Sequence, residues 1–65
     1  MWYKVQDNLP KFDELVLVWC EGFGYQLARY SIDNKWYNQN YSSAVVSVTH
    51  WQHLPQQPYK GNTYA

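Results

Sequence analysis

A single cysteine among 65 residues, Cys20, excludes an internal disulfide. It lies in an apolar run and reads as a small buried hydrophobe. Neither charge sign is in excess: five basic residues balance five acidic ones, and only 15% of positions are charged. Without a basic stripe the chain has no means of holding duplex nucleic acid by its phosphates. No apolar run approaches the roughly 20 residues of a membrane span, and no signal-peptide core is legible at the N-terminus. The expectation is a cytoplasmic protein without membrane contact. Helical periodicity is absent throughout, as is any Gly-rich phosphate loop; Gly22-Phe23-Gly24 signals a hairpin and nothing more.

Small size sharpens these absences. Ordering each residue costs roughly 1.5 kcal/mol, which a core this small offsets only narrowly. Domains of this length usually need a staple. With disulfides excluded, a metal or a second copy remains, and a homo-oligomer is expected. One β domain should span residues 1–58, with 59–65 as a frayed tail.

What the chain has in abundance is aromatic surface: four Trp, seven Tyr and two Phe, 20% of all residues. So many rings cannot all fit inside one small core, and an exposed aromatic cluster marks an interface or a stacking platform. The elements are short and strand-like. Met1 to Val5 reads as an edge strand, and Gln6 to Pro10 as a turn followed by Phe12 as a core plug. Leu15 to Glu21 is the strongest strand, apolar on both faces, so both should be covered. Tyr25 to Tyr30 returns from the glycine hairpin, Lys35 to Asn38 forms a short third strand, and Asn38 to Ser43 is a polar loop. Ala44 to Trp51 is the fourth strand. Pro55 ends pairing near Leu54, and Leu54 to Pro58 reads as an extended proline-containing strap. The expected fold is all-β, a small antiparallel meander of about four strands curled toward a small barrel.

Catalytic chemistry finds little support. His50 and His53 have the only metal-like spacing, but residues three apart on a strand face opposite sides, so joint chelation needs a bend after Trp51. Cys20 would be a scattered third ligand. No third group orients an imidazole toward a nucleophile, and the carboxylates of Asp7, Asp13, Glu14, Glu21 and Asp33 sit in or beside loops. No catalytic residue, metal or cofactor is expected. The aromatic set Trp19, Tyr25, Tyr30, Trp36, Tyr37, Tyr41 and Trp51, with Arg29 as the only guanidinium, has two readings. It can clasp a nucleotide-sized ligand by stacking, or its Trp residues can form the core while Tyr residues rim a protein interface.

Trp2, Leu9-Pro10, Val16-Leu17-Val18, Trp36 and the closing Thr49-His50-Trp51-x-x-Leu54-Pro55-x-x-Pro58 resemble the domain-of-unknown-function family five-fifty-one. Its members are small proteins common in phages, prophages and some gut bacteria. The resemblance covers residues 2–58, and the closing motif is its most specific part. The family commonly carries Met-Pro where this chain has Gln52-His53, which weakens His53 as a ligand. The resemblance implies a phage or mobile-element context, in the cytoplasm of an infected or lysogenic bacterium, and no reaction. In that context the aromatic richness suits a host-defence antagonist that sequesters a nucleotide-like signal in an aromatic-lined pocket between subunits. The alternative is an inhibitor or adaptor that binds a host or phage protein through exposed aromatics. Trp2, Leu17, Trp36, Val48 and Trp51 are the expected structural residues; Arg29, Tyr25, Tyr37, Tyr41 and His50 are the expected ligand contacts.

Overall fold

The computed structural model describes residues 1–55. These contain no helix and five strands: β1 (Tyr3–Lys4), β2 (Leu15–Cys20), β3 (Gly24–Tyr30), β4 (Trp36–Asn38) and β5 (Val48–His53). All pair antiparallel in one open sheet of order β1-β5-β2-β3-β4. The all-β antiparallel class is as expected. β2, β3 and β4 form the meander, while β5 returns past them to lie between β1 and β2. The strap beyond Pro55 and the tail 59–65 fall outside the described residues.

Alternation along β2 and β3 decides the faces. Val16, Val18 and Cys20 of β2 and Ala28 of β3 are fully buried, and Tyr30 and Trp51 join them on the same side. Among the described residues only loops cover this core face. The chain after β1 folds over it, burying Pro10, and the Trp51 indole N–H donates to the Asn8 carbonyl at 2.9 Å. Val45 closes it from the other side.

The opposite, outer face carries Leu15, Leu17 and Trp19 of β2 beside Arg29, Leu27 and Tyr25 of β3. Among the described residues no other element covers it. Nor does Trp19 belong to the core: it is 36% exposed, and Trp2 is equally accessible. Three further readings change. Phe12 is 55% exposed and stacks on Tyr30, with centroids 5.9 Å apart, rather than plugging the core. Only Tyr3 and Lys4 of the first segment pair. The fourth strand begins at Val48 rather than Ala44, since Ser47 adopts φ 63° and breaks the extended run.

Turns follow their residues. Gly22 takes φ 86° in a turn closed by the Phe23 N–H to the Cys20 carbonyl. Asn34, at φ 65°, closes the β3–β4 turn onto Ser31. The loop after β4 wraps around Asn38, whose Oδ1 accepts from the Ser42 amide at 2.8 Å. It then returns along the outer side of β4: Val45 N–H donates to Trp36 O and Asn38 N–H to Ser43 O, both at 2.9 Å, and Ala44 bridges Tyr37. At the other edge the Asp7 and Asn8 amides both turn back to the Lys4 carbonyl.

Candidate functional site

Register across the outer face builds one straight row. Lys4 of β1 pairs with His50 of β5, His50 with Trp19 of β2, and Trp19 with Tyr25 of β3. Directly opposed side chains on neighbouring strands stand about 5 Å apart, so the row runs continuously over four strands. A β-bulge sets its aim. Trp19 faces His50 but Cys20 faces Val48, leaving Thr49 as the extra residue on β5. Thr49 Oγ1 reaches the Trp19 carbonyl at 3.5 Å and lies 2.9 Å from His50 Nδ1, steadying the imidazole from beside the bulge.

Trp2, just before β1, comes back over this row. Its ring lies 6.1 Å from Tyr25 at 23°, nearly parallel, while Trp19 meets Tyr25 edge-on at 5.0 Å and 77°. Trp2, Trp19, Tyr25 and His50 line an open cleft of about 390 Å³. Tyr25 is 67% exposed, an unusual position for so large a ring on a sheet surface. Lys4 has no ion-pair partner among the described residues, where the one ion pair is His53 Nδ1 with Glu14 Oε2 at 2.9 Å.

The other expected contacts form a separate cluster at the far end of the face. Arg29 is four residues along β3 from Tyr25, about 13 Å, with Leu27 between them on the same side. Its Nε donates to the Gln39 carbonyl at 2.9 Å and its Nη1 to the Asp13 carbonyl at 2.6 Å. The guanidinium lies 6.0 Å from the Tyr41 ring centroid. Tyr41 donates its hydroxyl to Asp13, and Tyr37 donates to Asp33 at 2.5 Å. These bonds hold the Tyr41 and Tyr37 phenols above their ordinary range, and Tyr37 in turn holds the Asp33 carboxyl below its own. Thus Tyr25 and His50 come together in the cleft, whereas Arg29, Tyr37 and Tyr41 tie three loops to the sheet.

Sequence reasoning missed Lys4 and gave Trp2 a structural role. Neither position carries a local signal, because both enter the site only through pairing of β1 with β5. The two imidazoles stay apart: β5 runs extended through His53, so His50 faces the cleft while His53 lies on the core side beside Tyr3 and Trp51. Among the described residues no three of His, Cys, Asp and Glu converge. Burial pushes the Cys20 thiol up, away from the thiolate that nucleophilic chemistry requires.

No curated protein matches the sequence, and no solved structure matches the chain. Residues 1–59 match the family model described as "Protein of unknown function (DUF551)", nearly the full length, and the chain therefore belongs to that family.

Proposed function

We propose that this chain is a non-enzymatic binding protein that captures a flat, nucleotide-like ligand on its outer sheet face. One observation carries the reading: Lys4, His50, Trp19 and Tyr25 stand in register in a single row, with Trp2 arched over it. Ring faces accept a base of any identity, and each stacked base is worth about 1–3 kcal/mol. Of the residues expected to touch ligand, Tyr25 and His50 keep that role here. Arg29, Tyr37 and Tyr41 support the loops beside it.

The cleft is open, so tight retention calls for a second copy to close it, and a homo-oligomer formed through this face fits that need. In a phage or prophage setting, sequestering a host nucleotide signal in the bacterial cytoplasm would antagonise defence by occupancy alone. Half-exposed Leu17 and the more exposed Leu27 extend the aromatic patch beyond the cleft and favour a second reading, a protein inhibitor or adaptor that docks on the whole face.

Native mass spectrometry with a panel of nucleotides separates the two. Capture predicts a stoichiometric adduct released unchanged on denaturation. A bare spectrum with every panel member removes the capture reading and leaves the protein partner. Chemical conversion of the ligand would exclude both.

A further inference from the structure

Two prolines three residues apart, Pro55 and Pro58, follow β5 in the sequence Leu54-Pro55-Gln56-Gln57-Pro58. Prolines at that spacing favour a polyproline II segment, which has three residues per turn. Both rings then fall on one side, about 9 Å apart. Such a backbone makes no internal hydrogen bonds, so its carbonyls are free to accept.

The cleft of Trp2, Trp19, Tyr25 and His50 complements a segment of this kind. Trp19 stands edge-on to Tyr25 at 77°, so the two rings form a step, and Tyr25 is 67% exposed on it. Proline rings dock on aromatic surfaces of this sort, and here no ring has to part from another. The indole N–H groups of Trp2 and Trp19 and the Tyr25 hydroxyl make no hydrogen bond among the described residues, whereas Trp51 donates to Asn8. The cleft has donors to offer, and the segment has acceptors.

Reach excludes the chain's own prolines. β5 leads away from His50, which lines the cleft, and Pro55 lies five residues and about 16 Å further on. Leu54 precedes a proline and stays extended. Turned fully back, the roughly 9 Å from Pro55 to Pro58 still ends short of the cleft. We infer that the cleft receives segment 55–58 of a second copy, each chain lending its prolines to the other. Such a reciprocal contact closes at two molecules. It holds whichever ligand the free cleft takes, and a ligand entering there competes with the segment.

Two variants of the full chain test this by native mass spectrometry. Pro55→Ala with Pro58→Ala spoils the segment, and Tyr25→Ser spoils the cleft. The wild-type protein should be dimeric and each variant alone monomeric. An equimolar mixture of the two variants should recover a heterodimer, since one intact segment still meets one intact cleft. A synthetic peptide of residues 54–60, added to the doubly substituted proline variant, should shift its tryptophan emission. The same peptide with alanine in place of both prolines should bind about tenfold more weakly. A monomeric wild-type protein, a dimer that survives loss of both prolines, or a mixture without heterodimer overturns the inference. Equal affinity for the two peptides does so as well, and that comparison does not depend on Tyr25→Ser folding. Nucleotide adducts are read separately in the same spectra, so failure of this contact leaves nucleotide capture standing.

Discussion

Arg29 donates from Nη1 to the backbone carbonyl of Asp13, 16 residues away, while Asp13 holds a left-handed φ of 68°. Tyr41, which accepts the guanidinium over its ring and donates to the Asp13 carboxylate, is also left-handed at φ 61°. Two residues in a conformation that costs each of them about 1–2 kcal/mol are therefore gripped by one side chain and by each other. Charge-assisted bonds of this sort offset such costs. Arg29→Met should lower the unfolding free energy by about 1–3 kcal/mol, read from the urea midpoint, with little change in ligand affinity wherever the protein remains folded. A loss of affinity without loss of stability would instead put Arg29 in the binding site.

The tyrosine–aspartate pairs set a window of pH. Tyr37 and Tyr41 titrate above their ordinary value in the folded state. Their contribution is complete below the unfolded value near 10 and is lost as pH rises through the folded value. Asp33 is shifted down, so its contribution is complete above the unfolded value near 3.8 and is lost as pH falls through the folded one. Absorbance at the tyrosinate band should show a late phase from Tyr37 and Tyr41, above the ordinary value near 10. Tyr37→Phe with Tyr41→Phe should remove that late phase and, with it, part of the stability at neutral pH.

Trp51 ties the core to the loop above it through its bond to Asn8 and its contact with Tyr3, 4.8 Å between ring centroids. Trp51→Ala should cost about 3–5 kcal/mol, enough to unfold a domain this small. Loss of dispersed amide signals in a proton–nitrogen correlation spectrum checks it. Retention of the dispersed spectrum would contradict the assignment of Trp51 to the centre of the core.

On the outer face the expected cost is smaller. Trp19→Ser removes a ring that is 36% exposed and should cost about 1–3 kcal/mol, less than Trp51→Ala, while weakening ligand binding and any association through that face. Calorimetric melting and sedimentation together report both quantities.

How far the sequence reveals this arrangement depends on the range of the interaction. The alternation of Val16, Val18 and Cys20 against Leu15, Leu17 and Trp19 is local, and it predicts both β2 and its two faces. The glycine hairpin and the Ser31–Lys35 turn are equally local. Ala44-Val45-Val46 has the composition of a strand, yet Val45 is a plug for the core and Val46 is solvent-exposed. What separates the outcomes is the positive φ of Ser47 and the docking of Val45 beside Trp36, which no nearby residue announces. Tyr25 and His50 were recognisable as ring and imidazole. Their meeting with Trp2 and Lys4 depends on β5 crossing back to β1, a pairing between segments some 46 residues apart, as Lys4 opposite His50 illustrates.

The return of the chain along β4 has a consequence for crowded conditions. With Trp36 and Asn38 already bonded to the Ser43–Val45 segment, a neighbouring molecule finds no open ladder there to extend, and β1 offers only two paired residues. Among the described residues, strand addition therefore meets a covered β4 edge on one side and a two-residue strand on the other.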